Sequence, residues 1–362
     1  MISNTTKLII LICLLVFQAP SYAQFSNGLN EIEAQNLMKL SYYPFFMDSC
    51  KTKMDNELPN YQIIKTVDSV AMDNAWSIIK TKNTGIITFR GTTVQQISWM
   101  ENFYSAMIPA KGEATIPSGK TITYNFANDE RAGVQSGWSL AILIMSPEII
   151  EEIKKLNNEG IYHIYIAGHS QGGALALLFR AFLEHLPNDV LSEKNTYKTY
   201  AFAAPKPGNR FFAYEYNKIA NKELTSFTFT NPYDWVPQLP FSVQSPNNIT
   251  ALNPFIAFES SKEGSFIKRI ALHQIYNSMK KPIVKSQKSL NKNLGDRVSK
   301  LIKKDIGEFT LPPYLLDAAY FPVGVNIVLE QYQPIHNPKD KKDVFWQHHP
   351  PHYIQLVTAY FE

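Results

Sequence analysis

Ile161-Tyr162-His163-Ile164-Tyr165-Ile166-Ala167-Gly168-His169-Ser170-Gln171-Gly172-Gly173-Ala174-Leu175-Ala176 is the stretch on which the fold turns. Ile161–Ala167, rich in β-branched and aromatic residues, reads as a buried strand, and Ala174–Leu183 as a strong helix. Between them stands Gly-x-Ser-x-Gly. A hydroxyl presented at the top of a sheet needs a very sharp strand-to-helix turn. Side chains two residues either side of it would collide, so both positions are Gly. The helix that follows aims its N-terminus at the centre where negative charge would develop. The bare motif is short enough to recur by chance, so the strand before it and the helix after it carry the reading.

Working outward, strand-like runs fall at Tyr61–Lys65, Ala75–Lys80 and Gly85–Phe89, then at Tyr197–Phe202, Ser226–Thr230 and Val323–Leu329. Ser26–Tyr43 reads as a first helix with Ser26 as its cap. Strands alternating with helices predict an α/β protein with a mostly parallel sheet flanked by helices. No internal repeat or low-complexity linker divides the chain, which predicts one domain over 24–362.

Residues 1–23 stand apart. Lys7 precedes the apolar run Leu8–Phe17, and Ser21-Tyr22-Ala23 follows as a small-residue cleavage signature, the pattern of a secretory signal peptide. Export, periplasmic or secreted, is therefore expected. Ile12 before Cys13 argues against lipoprotein processing, and Cys50 alone would remain after cleavage, excluding an internal disulfide. Of the 362 residues 45% are apolar and 18% charged, which excludes disorder, and a net charge of +4 is too small to imply a nucleic-acid partner. No cluster of His, Cys and acids has metal-ligand spacing, and no cofactor or protein partner is indicated. One segment differs: Lys268–Lys304 holds eleven Lys and Arg against the single acid Asp296. Leu290, Leu294, Val298 and Leu301 keep helical spacing there, with Gly295 weakening the helix. The run reads either as a solvated amphipathic face or as a basic surface that meets anionic lipid.

Gly168-His169-Ser170-Gln171-Gly172-Gly173-Ala174-Leu175-Ala176 resembles the class 3 lipases, the fungal-type family of the α/β-hydrolase fold. Further stretches agree in order. Phe89-Arg90-Gly91-Thr92 matches that family's Phe-Arg-Gly-Thr, with Trp99 and Asn102 at its Trp-x-x-Asn. Val134-Gln135-Ser136-Gly137-Trp138 resembles its Val-His-x-Gly-Phe, with Gln135 in place of His. Phe202–Asn209 and Asp234–Pro240 resemble its Phe-Gly-x-Pro-x-x-Gly-Asn and Asp-x-Val-Pro-x-Leu-Pro. The likeness covers about residues 60–245 and the C-terminus; the basic insertion at about 246–320 matches no pattern of the family.

A serine hydroxyl becomes a nucleophile when a His takes its proton and a carboxylate orients that His, in this fold in the order Ser, Asp, His. Asp234 sits in a turn just after the strand ending at Thr230, and resemblance also favours it. His336, His348, His349 and His352 follow the last strand. The resemblance implies His, four residues, Tyr, which selects His348 with Tyr353; a shift of one residue would exchange it for His349, and His352 is third. His163 and His185 read as structural, and His169 as packing beside the nucleophile. The oxyanion donors would be the backbone N–H of Gln171 and, by resemblance, that of Thr92, whose hydroxyl would add a second bond. Arg90 reads as a structural ion-pair residue. Val94, Ile97, Trp99, Met100, Phe103, Met107 and Ile108 form either a mobile lid, as in the family, or a packed core helix.

These residues predict a secreted serine ester hydrolase, foremost a lipase cleaving acylglycerols through an acyl-enzyme, in contact with a lipid or ester substrate and with lipid surfaces. The alternatives are a phospholipase A1, a feruloyl-type esterase, or a catalytically dead hydrolase fold used for binding.

Overall fold

A computed structural model of the chain describes residues 26–249, 266–330 and 336–362. The leader expected at 1–23 lies outside them, as does part of the basic insertion. Seven strands form the central sheet, and they lie side by side in chain order. They are β1 (Gln62–Val70), β2 (Asn74–Lys80), β3 (Thr84–Phe89), β4 (His163–His169), β5 (Thr196–Phe202), β6 (Ser226–Thr230) and β7 (Val325–Val328). β1, β2 and β3 are antiparallel, whereas every pairing from β3 to β7 is parallel.

The period of two along each strand divides the core. Ile87, Phe89, Ile164 and Ile166 share a core with the helices α3 (Ser136–Asn158), α4 (Gln171–Glu184) and α5 (Arg210–Lys222). Their neighbours Ile86, Tyr165 and Ala167, with Tyr200, Phe202 and Phe229, face α1 (Glu31–Leu40) and the C-terminal α8 (Pro350–Phe361). Both sheet faces are thus covered, as a parallel sheet requires.

The first helix is shorter than the expected Ser26–Tyr43. Asn30 is its cap, accepting the Glu33 N–H at 3.0 Å. Ser26 acts instead through its carbonyl, which accepts from Lys198 Nζ at 2.8 Å. Lys198 in turn pairs with Glu33 inside the protein, and the hydroxyls of Tyr165 and Tyr200 each donate to that carboxylate at 2.6 Å. With three donors on the Glu33 carboxylate, the buried ions ride on hydrogen bonds as well as on charge.

The chain from Val94 to Ile108 is two elements. Gln96–Phe103 forms a short helix, α2, and Met107 and Ile108, both fully buried, belong to a strand, Met107–Pro109, in a small antiparallel sheet with Gly133–Gln135, Gly208–Asn209 and Tyr320–Phe321. α2 is followed in that corner by the described part of the insertion: α6 (Phe266–Leu290), a π-helical turn at Asn291–Arg297 and α7 (Val298–Ile306), which packs on α2. Gly295 does not simply weaken this helix. A side chain there would strike Tyr314 and Ala106, so the glycine permits the close approach. Val298 and Ile302 are buried while Leu301 is exposed, which moves the apolar stripe by one residue from the expected one.

Candidate active site

The carboxyl ends of β3, β4, β5 and β6 come together at one edge of the sheet, the position where parallel α/β sheets place their sites. Ser170 sits between β4 and α4 with φ 60° and ψ −131°, a conformation that costs a non-glycine residue about 1–3 kcal/mol. The flanking glycines make the turn sterically allowed. A Cβ on Gly168 would run into the Gly172 carbonyl, and one on Gly172 into the carbonyl of Phe89. The Ser170 N–H is held by the Phe202 carbonyl at 2.9 Å, which ties the turn to β5.

The Ser170 hydroxyl lies 2.7 Å from His348 Nε2, and His348 Nδ1 lies 2.7 Å from Asp234 Oδ2. The hydrogen-bond pattern assigns the tautomer: Nδ1–H donates to the carboxylate, leaving Nε2 to accept from the serine. Asp234, in the turn after β6, is almost wholly buried. Its Oδ1 accepts the Val236 N–H at 2.9 Å, and its Oδ2 also accepts the Tyr353 hydroxyl at 2.9 Å. Tyr353 opens α8 one turn beyond His348 and accepts the Asn231 N–H, so the two loops that carry Asp234 and His348 are joined through its oxygen.

The other histidines stand elsewhere. His349 turns outward to Asp343 at 2.9 Å, His352 meets Gln347 at 3.1 Å, and His336 is exposed. His163 contacts Thr196, and His185 bridges Ala181 and Glu215. His169 packs its ring 4.7 Å from that of His348. Burial, with the charge of His348 added, holds the His169 imidazole well below its ordinary pKa, so it stays neutral.

Gly91 brings the β3 loop against Ser170, and among the described residues the backbone N–H groups of Thr92 and Gln171 have no acceptor. The Thr92 hydroxyl differs from expectation. It donates to Gln171 Oε1 at 2.9 Å and accepts from Asn102 Nδ2, so its proton is already committed. Asn102 also donates to Gln171 Oε1 and accepts from Trp138 Nε1, locking both donor residues to α3. Gln135, where the family pattern has His, caps α3 at Trp138 and donates to the carbonyls of Glu101 and Asn102. Behind this layer, Gln171 Nε2 donates to Asn74, and Asn74 donates to Glu101 at 2.6 Å. Glu101 is fully buried; burial, helped by the negative Asp73, raises its pKa far above the ordinary 4.5 against the donors Asn74 and Gln171. Arg90 pairs with Asp68 at 2.5 Å and Asp73 at 3.4 Å.

Aromatics border the centre. Phe345 lies 6.4 Å from the His348 ring and contacts both Trp235 and Trp99, the latter on α2. Val94, two residues before α2, and Phe103, its last residue, are 95% and 51% exposed, while Ser98 and Glu101 on its inner face are buried. α2 therefore has an anchored polar face and an apolar rim open to solvent.

Sequence reasoning did not single out Glu101, Asn74 or Asn231, nor the hydrogen bond of Tyr353. Only Asn102 and Tyr353 carried a signal, as members of spaced patterns.

The sheet, the strained serine turn and the flanking helices give this chain the α/β-hydrolase fold. More narrowly, residues 86–244 match the model of the lipase (class 3) family. A secreted mono- and diacylglycerol lipase, LIP4, of Malassezia restricta is 28% identical over 182 residues, 49% of this chain and 55% of the relative. Lipase ZK262.3 of Caenorhabditis elegans is 27% identical over 235 residues, 62% of this chain and 58% of the relative. The chain spans about half the length of the curated relatives it matches. Among solved structures, the lipase of Rhizopus microsporus var. chinensis aligns with a TM-score of 0.43 at 20% identity, covering 59% of this chain and 71% of that one. Among the described residues no helix is long and apolar enough to cross a membrane.

Proposed function

We propose that the protein is an exported serine carboxylic-ester hydrolase that cleaves acylglycerols. The observation that carries this is the continuous chain from the Ser170 hydroxyl through His348 to Asp234, with both links at 2.7 Å. Ser170 Oγ attacks the ester carbonyl as His348 Nε2 takes its proton. Asp234 stabilises the imidazolium and fixes its orientation. The tetrahedral oxyanion accepts the N–H groups of Thr92 and Gln171, each such donor being worth roughly 3–4 kcal/mol of barrier. Collapse expels the alcohol, which takes the proton from His348. Water, activated by the same imidazole, then releases the acid from Ser170. Histidines 349 and 352 have no part in this scheme, and neither does a metal.

An acyl-chain substrate is supported by the exposed apolar rim of α2 and by the relatives named as mono- and diacylglycerol lipases. Lipid surfaces are then where the enzyme meets its substrate. The leader pattern ending near Ala23 supports export, in line with relatives named as secreted.

The test is a panel of p-nitrophenyl butyrate, a mono- and a diacylglycerol, phospholipid vesicles and a feruloyl ester. Acylglycerol turnover should exceed the others. Ser170→Ala and His348→Ala should each lower kcat by about 10⁴ to 10⁶ with little change in Tm, whereas His349→Ala stays within tenfold. Ser170→Ala turnover within tenfold of the parent would refute the mechanism.

A further inference from the structure

The helix α6 is amphipathic in an unusual direction, along its length rather than only around it. Its first half leaves Ile267, Ile270, Ile275 and Met279 between 39% and 79% exposed. Its second half exposes Lys281, Lys285 and Lys288, and α7 continues with exposed Lys300 and Lys304. Among the described residues none of these five cations is ion-paired. The helix is anchored through Tyr276 and Gln287, which are buried, and Gln287 donates to Val243 and Asn248. The outward face is therefore fixed in place rather than free to turn inward. A helix that only covered the fold would bury these isoleucines; this one leaves them open to solvent beside the five unpaired cations.

The arm also has a definite place. Its inner contacts reach the segment that follows the Asp234 turn, and α7 packs on α2, the helix that follows Thr92. It is thus tied both to α2 and to the segment after the Asp234 turn.

We propose that the outer face of α6 and α7 docks on an anionic lipid surface, the isoleucines entering the headgroup–acyl boundary and the lysines meeting the lipid charges, and that this holds the active-site rim against the same surface. The docking stands on its own observations; its purpose rests on the lipid-ester reading of the site. Apolar residues beside unpaired lysines fit anionic lipid better than nucleic acid, which would leave the isoleucines in water. Each lysine brought near such a surface contributes roughly fivefold in binding, and salt weakens it over a Debye length of about 8–10 Å.

The test uses the Ser170→Ala protein, which leaves vesicles intact, in sedimentation with phosphatidylcholine vesicles without and with phosphatidylglycerol at about one third. Binding should rise at least tenfold with the anionic lipid and fall at least tenfold in half-molar salt. Lys281→Glu/Lys285→Glu/Lys288→Glu should abolish the anionic preference, and Ile270→Ser/Ile275→Ser should weaken binding to both vesicles. In the Ser170 background neither set should change turnover of soluble p-nitrophenyl butyrate. Absence of binding, indifference to lipid charge, or parental binding by the lysine variant would overturn the proposal, as would charge-dependent binding to DNA alone. Failure of the butyrate assay in the parent would instead refute the hydrolase reading and leave the docking result standing.

Discussion

Tyr353 gives Asp234 one of its donors, and its loss should be felt without any change in substrate contacts. Tyr353→Phe keeps the packing and removes a hydrogen bond to a carboxylate, worth about 1.5–3 kcal/mol. We expect kcat to fall roughly tenfold or more with KM within twofold; an unchanged kcat would show that Val236 and His348 suffice to hold Asp234. Glu101 gives a different experiment. Its pKa is raised in the folded protein, so the folded state binds its proton more tightly than the unfolded chain does. The stability from this group is fully present below the ordinary value near 4.5 and is lost as pH rises from there toward the folded pKa. Glu101→Gln carries no such titration. The stability of the parent relative to this variant should therefore decline as pH rises above about 4.5, measured by urea unfolding from pH 4 to 9. A difference independent of pH would mean that Glu101 titrates normally. Neither residue is legible as a site residue in the sequence. Tyr353 appears there only as an aromatic at a fixed spacing, and Glu101 as a polar residue on a short helix. Their roles arise from contacts with Asp234 and Asn74, far away along the chain.

The elbow is the element most fully legible in advance, because its constraint is local. Strand, turn and helix adjoin one another, and Gly168 and Gly172 are demanded by atoms the motif itself and β3 supply. A methyl group on Gly172 would strike the backbone of Phe89, which has no rotamer to yield. Gly172→Ala should thus cost about 3 kcal/mol or more, read as a lower urea midpoint, and activity should fall with it. An unaltered midpoint would mean that β3 can retreat. Elements set by distant partners were harder to bound. The first helix begins at Glu31 because Asn30 caps it and the Ser26 carbonyl is taken by Lys198. Val94–Ile108 reads as one apolar stretch, yet it breaks after Phe103 because Met107–Pro109 pairs with Gly133–Gln135.

At the scale of the whole molecule, the strand succession is readable because the sheet keeps the order of the chain, so each apolar run is followed by its spatial neighbour. The insertion is not readable in the same way: its buried side is defined by Tyr314, Ala106 and Asn248, none of which its own periodicity announces. The two ends of the described chain meet, since α8 packs on α1 beneath the sheet. That meeting has a consequence for the life of the protein. During synthesis Ser170 and then Asp234 emerge with their strands, while His348 follows only after all seven strands of the central sheet have been made. A growing chain therefore carries a mute hydroxyl, and so does one clipped by a protease a few residues before His348. On the proposed mechanism, no copy works until His348 has been made and the helix that follows it has closed against the first.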